Sequence, residues 1–210
     1  MNTESSRGVS AVVSATPAQS RRSSLTLWLI LAVCVAPIIG STALYYLAPP
    51  KSRMNYGELI TPNLFPEAVL DGLDGRSVRL GELRGKWIMV QVDDAACATR
   101  CRDKLYKMRQ VRLTQGKNMD RVQRLWVVSD DAAVTPDLLA EYSGTVVVRA
   151  GHASPNPVLE ALPAASADAL HEHIWLVDPL GNVMLRYPPD ADPSGMKKDL
   201  YRLLQVSRVE

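Results

Sequence analysis

No charged residue occurs from Ser23 to Pro50, an interval of 28 residues. Within it Leu25 to Ala48 reads LTLWLILAVCVAPIIGSTALYYLA. As a helix at about 1.5 Å per residue this run extends roughly 36 Å, enough to cross the hydrocarbon of a bilayer. Pro37 and Gly40 interrupt it, but backbone groups in lipid must be paired internally, so a kinked helix is the expected form. Trp28, Tyr45 and Tyr46 lie near its ends, where amphipathic rings suit membrane interfaces. Ser41 and Ala43 form a small-x-small pattern that a signal peptidase can cut. The apolar run nevertheless exceeds the roughly 7 to 15 residues of a signal-peptide core, so an uncleaved anchor is expected. The twin arginine at Arg21 and Arg22 reads as flanking charge rather than an export address. With Arg7 these two precede the run, and Lys51 and Arg53 follow it. That bias places the N-terminus in the cytoplasm. The expectation is a single pass through a bacterial-type inner membrane, with the following domain on the periplasmic side.

Four regions follow: a disordered tail over 1–22, an anchor over 23–50, a linker over 51–63 and a domain over 64–210. The tail is rich in Ser, Ala, Thr and Val, with no aromatic residue and no periodicity. Three of the 24 basic and one of the 22 acidic residues precede Lys51, leaving 21 of each from Lys51 onward. A domain so balanced has no electrostatic footprint for nucleic acid, and no nucleic-acid partner is expected.

Beyond the linker, strand and helix patterns alternate. Ala68 to Leu80 reads as a hairpin turning at Asp74-Gly75. WIMVQV, Trp87 to Val92, is an apolar run of the kind a buried central strand carries. A helix is expected over Cys97 to Gln115, stopped by Gly116, then a strand over Arg124 to Asp130. Thr135 and Pro136 suit the cap and first turn of a short helix through Tyr142. Thr145 to Arg149 reads as a strand and 151–168 as loop. His173 to Tyr187 reads as a hairpin turning after Asp178, and Ser194 to Leu204 as a closing helix. This order predicts an α/β sandwich of thioredoxin type, a central sheet flanked by helices, preceded by the transmembrane helix.

Cys97 and Cys101 stand in DDAACATRCRDK, at the join between a strand and a helix. The third cysteine, Cys34, lies in the apolar run and reads as a small hydrophobe. Positions four apart on a helix have Cβ atoms about 5 to 6 Å apart, whereas a disulfide needs roughly 3.5 to 4.5 Å. A pair wholly within a helix therefore suits a shared metal; with Cys97 on the preceding loop, a disulfide and a metal are both accessible. Two thiolates with an imidazole select copper or zinc. The imidazoles available are His152, His171 and His173. His152 reads as an exposed loop residue. His171 and His173 flank the start of the strand IWLV, and alternation would place both on one face. His173 abuts the strand and is the better-held candidate ligand. Nine basic residues between Arg100 and Arg124 face only Asp103 and Asp120. They read as solvated charge; in the competing reading, Lys104 and Lys107 steer an acidic partner.

These motifs together resemble the Sco family of membrane-anchored, thioredoxin-fold copper chaperones of cytochrome c oxidase assembly. LDGLDGRSVRLGELRGKWIMVQV is similar to that family's opening hairpin and first central strand, and CATRC stands at its CxxxC copper site. SDDAAVTPDLLAEY resembles its acidic turn and Thr-Pro helix, and HEHIWLVDPLGN its histidine-bearing strand and turn. The similarity covers about residues 64 to 204. Proline beside the cysteines is missing, and Asp93 and Asp94 replace an aromatic and a threonine. The family histidine stands nine residues before the turn proline, which lands on Leu170; His171 and His173 stand eight and six before Pro179.

The resemblance implies one copper ion bound by Cys97, Cys101 and His171 or His173. It also implies delivery to a cytochrome c oxidase subunit or to another copper-assembly protein. A thiol-disulfide oxidoreductase, with Cys97 attacking and Cys101 resolving, is the alternative from a different functional class. A non-catalytic interaction scaffold is the third.

Overall fold

A computed structural model describes residues 18–47, 55–73, 75–151 and 155–207. The chain forms two compact units, 1–52 and 53–210.

Among its described residues the first unit contains one helix, α1 (Ala18–Leu47), with Pro37 inside it. Its stretch Ser24–Leu44 has a mean hydropathy of 2.3 and is long and apolar enough to cross a membrane. The hydroxyls of Ser41 and Thr42 donate to the Ile38 carbonyl at 3.1 and 2.8 Å, so neither is left unpaired in the apolar run. The helix begins at Ala18, so residues 18–22, expected in the disordered tail, are helical; the rest of that expected tail lies outside the described residues.

The second unit is built on six strands: β1 (Glu58–Leu64), β4 (Trp87–Asp93), β5 (Val122–Val128), β6 (Thr145–Arg149), β7 (Ile174–Val177) and β8 (Asn182–Tyr187). Their order in the sheet is β1-β8-β7-β4-β5-β6. β4, β5 and β6 are parallel; β1, β8 and β7 join antiparallel to one another, and β7 to β4. A separate hairpin of β2 (Val69–Asp71) and β3 (Ser77–Arg79) forms as expected, although its turn residue Asp74 lies outside the described residues. The helices are α2 (Thr99–Leu113), α3 (Pro136–Glu141), α4 (Pro157–Glu160), α5 (Ala167–Leu170) and α6 (Pro193–Val206).

All of β4 is buried because both faces of the sheet are covered. Ile88, Val90 and Val92 pack with Leu70, Leu80 and Val158 on one face. Trp87 and Met89 pack on the other with Leu105, Met108 and Val111 of α2 and with Met196, Leu200 and Leu204 of α6. Those residues recur at intervals of three and four, the spacing of one helix face. Trp126 is 1% exposed, and truncating such a ring to alanine costs about 3 to 5 kcal/mol.

Several expectations change. The segment expected as a linker supplies β1, an edge strand paired to β8. Six of its seven residues are exposed, so it lacks the apolar alternation that marks a half-buried strand. Pro62, which withholds a backbone donor, is tolerated on an edge, and the register shifts between Leu59 and Asn63. Thr135 precedes α3 in extended backbone but makes no side-chain cap bond. The stretch read as loop over 151–168 contains α4 and the start of α5, capped by the side chains of Asn156 and Ser166.

Candidate functional site

β4 ends at Asp93, and the chain crosses to α2 through Asp94–Ala98. The turn is held by the Cys97 N–H donating to the Asp94 carbonyl at 3.0 Å and the Ala95 N–H donating to Asp130 Oδ1 at 2.9 Å. Cys97 has a φ of 42°, the only positive value at a non-glycine among the described residues. Left-handed backbone at such a residue stores strain that the surrounding contacts must hold. Because Cys97 sits in this turn and Cys101 in the first turn of α2, their Cα atoms lie 5.0 Å apart and the two sulfurs form a disulfide. Of the two states open to a CxxxC pair, the structure holds the disulfide.

The pair is buried, Cys97 and Cys101 being 2% and 3% exposed. It borders a cleft of about 610 Å³ lined also by Asp93, Arg100, His171 and Glu172. Beneath it lie polar groups drawn from β4 and α2. Gln91, fully buried, donates from Nε2 to Cys101 Sγ at 3.4 Å. Asp93 pairs with Lys104 at 2.7 Å. The Lys104 ammonium, on a residue 1% exposed, also donates to the carbonyls of His171 at 2.7 Å and Val92 at 3.4 Å. Burial pushes the Asp93 carboxyl above its ordinary range, and the attraction of Lys104 opposes the rise without cancelling it. Burial likewise draws the Lys104 ammonium below its ordinary range, against the pull of Asp93.

His171 follows α5, whose first turn is capped by Ser166, and its N–H donates to the Asp168 carbonyl at 3.0 Å. Its backbone is helical, so strand alternation does not relate it to His173. His171 lines the cleft with the cysteines; His173 does not. The His173 ring is committed elsewhere, with Nδ1 2.8 Å from the Ala169 carbonyl and its centroid 5.7 Å from the Trp175 ring. Of the two candidate third donors, His171 is therefore the one that stands at the cleft with the cysteines. His152 lies outside the described residues. Among the described residues no three His, Cys, Asp or Glu side chains are gathered as a metal site. With the disulfide closed the sulfurs are not thiolate donors; reduction is what creates them.

Lys104 and Lys107, expected on a solvated basic face, are buried at 1% and 8% exposure. Lys107 pairs with Asp103 at 2.8 Å and donates to the Pro189 carbonyl at 2.8 Å. They have no free charge with which to steer a partner. The signal was present in the register, since Lys104 sits between Cys101 and Met108 on the packed stripe of α2. Gln91 was legible in the same way, as the polar residue inside WIMVQV.

A family model described as the transmembrane-like, thioredoxin-like, C-terminal domain matches residues 87–207. No curated protein matches in sequence. Among solved structures, the thioredoxin domain of a thiol-disulfide oxidoreductase from Bacteroides vulgatus is 19% identical with a TM-score of 0.52, over 70% of this chain and 99% of its own. Copper-bound yeast Sco1 is 19% identical with a TM-score of 0.54, over 70% and 96%. A SCO1/SenC family lipoprotein from Bacillus anthracis is 17% identical with a TM-score of 0.52, over 70% and 99%. At these identities the similarity establishes a thioredoxin-like fold.

Proposed function

The chain belongs to the transmembrane-like, thioredoxin-like C-terminal-domain family, and from that premise we propose that it is a membrane-anchored copper-handling protein acting through Cys97, Cys101 and His171. α1 holds it in a bacterial-type inner membrane, with the N-terminus cytoplasmic and the thioredoxin-like domain periplasmic. Its cargo is one copper ion, delivered to a cytochrome c oxidase subunit or to another copper-assembly protein. The observation that carries this reading is the meeting of both cysteines and His171 at one cleft. Two soft sulfurs and an imidazole form a donor set that suits copper in either oxidation state. Copper bound to yeast Sco1, a protein of the same fold, supports the assignment.

Reduction comes first. The S–S bond breaks on accepting two electrons and two protons from a dithiol donor, which leaves as its disulfide. Capture of the cargo then displaces the thiol protons, and His171 supplies the third contact from a segment tied to Lys104.

The test is copper stoichiometry and affinity of the full-length protein in detergent micelles under reducing conditions. One copper per chain is expected, lost in Cys97→Ser and Cys101→Ser. His171→Ala should weaken binding by at least about tenfold, roughly 1.4 kcal/mol, while His173→Ala leaves it within about twofold. Zinc binding without copper binding would overturn the cargo.

The closed disulfide favours a second reading, thiol-disulfide exchange with a partner's cysteines. A reduced protein that binds no metal but reduces a model disulfide substrate through Cys97 would establish that reading in place of the first.

A further inference from the structure

We infer that Gln91 sets the redox poise of the Cys97–Cys101 pair, penalising the disulfide relative to the dithiol. The inference rests on reduction of this pair, the first step of the function proposed above, and not on the identity of any cargo.

Gln91 stands in the middle of β4, paired in register with Ile174 of β7 and Trp126 of β5. It is completely buried. Its neighbours Val90 and Val92 pack on the opposite face of the sheet, so the carboxamide is directed into the layer between β4 and α2. There its Nε2 donates to Cys101 Sγ at 3.4 Å, while its Oε1 is buried and has no hydrogen-bond partner. A buried carbonyl left without a donor keeps the full penalty of its desolvation. Lys104, a buried charged donor of α2, is already taken by Asp93 and by the carbonyls of Val92 and His171.

The two redox states treat this carboxamide differently. A disulfide sulfur is only a weak acceptor and has no proton to give. When the bond is reduced by two thiols, which leave as a disulfide, Cys101 gains a hydrogen and becomes a donor. Rotation of the carboxamide about its last bond exchanges its oxygen and nitrogen and presents Oε1 to that S–H. Reduction thus opens a second pairing, S–H to Oε1, in exchange for the weak Nε2 contact, where the disulfide offers the carboxamide only the one. The oxidised state alone cannot pair that carbonyl with the sulfur, whereas the reduced state can take the better of the two arrangements, which makes the disulfide easier to reduce.

The experiment equilibrates the full-length protein in detergent micelles, at one pH, with defined ratios of reduced and oxidised glutathione. The oxidised fraction is read by alkylation of free thiols and mass spectrometry. In Gln91→Leu and Gln91→Met, which remove the carboxamide, the equilibrium should move about tenfold toward the disulfide. That is about 30 mV for a two-electron couple. An unchanged equilibrium, or a shift toward the dithiol, overturns the assignment. Methionine nearly matches glutamine in length and keeps the test alive where leucine disturbs packing. Melting temperatures of both redox forms give the same quantity by a thermodynamic cycle. A residue that merely fills space lowers both melting points equally, whereas loss of the poise raises the oxidised form relative to the reduced one. A wild-type disulfide that resists glutathione and dithiothreitol alike would overturn both this inference and the function it rests on. Failure to bind copper would overturn that function while leaving the poise intact.

Discussion

Two buried carboxylates with opposite surroundings divide the labour in this domain. Asp199 of α6, 1% exposed, accepts the Tyr56 and Gly57 N–H groups at 2.9 and 2.7 Å and the Tyr187 hydroxyl at 3.5 Å. Asp93 of β4, 6% exposed, relies on the Lys104 ammonium and borders the cleft. The first is satisfied by backbone donors that cannot move without unfolding the start of β1. A Cβ at Gly57 would lie 2.6 Å from the Tyr187 ring, so this close approach depends on glycine. The second is held by a flexible side chain that also holds the His171 carbonyl. One carboxylate stitches the fold together, while the other forms a charged floor whose partner reaches the segment facing the disulfide.

The largest effect that can test this contrast is Asp199→Ala. It removes two charge-assisted bonds worth roughly 2 kcal/mol each, so urea unfolding should show a loss of about 4 kcal/mol. The glutathione equilibrium of the cysteine pair should not change. A shift there would join the two regions that the comparison separates.

Next in size is Lys104→Met, which leaves the Asp93 carboxylate buried without its cation. Breaking a buried pair from one side costs about 3 kcal/mol or more, and removing both charges recovers much of that loss. Asp93→Leu combined with Lys104→Met should therefore be more stable than Lys104→Met alone. The double variant should still bind copper more weakly, because the tie to the His171 carbonyl is gone. Should the double variant be no more stable than the single one, the Asp93–Lys104 pair is not the source of the loss.

The smallest effect appears in alkali. Burial raises the Tyr187 phenol above its ordinary value of 10.0, and the Asp199 charge adds to the rise. Above pH 10 the unfolded chain releases this proton while the folded chain keeps it. The unfolded state then binds fewer protons, and stability falls as pH rises. The loss cannot exceed about 1.4 kcal/mol per pH unit. Tyr187→Phe should remove that slope while changing stability at pH 7 by less than about 1 kcal/mol. Parallel curves from pH 9 to 11 would contradict it.

Much of this was legible in residue order, because it depends on local pattern. A long uncharged run determined a helix of membrane-crossing length. Apolar runs and turn residues determined β4, β5, β6 and the β7–β8 hairpin, whose turn is closed by Asp178 accepting from the Leu180 and Asn182 N–H groups at 2.9 and 2.7 Å. The strand and helix patterns on either side of Cys97 and Cys101 determined that the pair stands at a strand-to-helix join. Tertiary structure decided the rest, because each remaining feature is a relation between distant segments. β1 exists as a strand only through β8, and an exposed edge leaves no alternation to read. Lys104 is buried because Asp93 and the His171 carbonyl await it across the interface between α2 and the sheet. His171 lines the cleft with the cysteines because the short helix α5 turns the chain before β7 begins, and His173 is drawn to the Ala169 carbonyl by the same turn. Backbone geometry outside the helix brings the two sulfurs together; a count of intervening residues does not distinguish that turn from one more turn of helix.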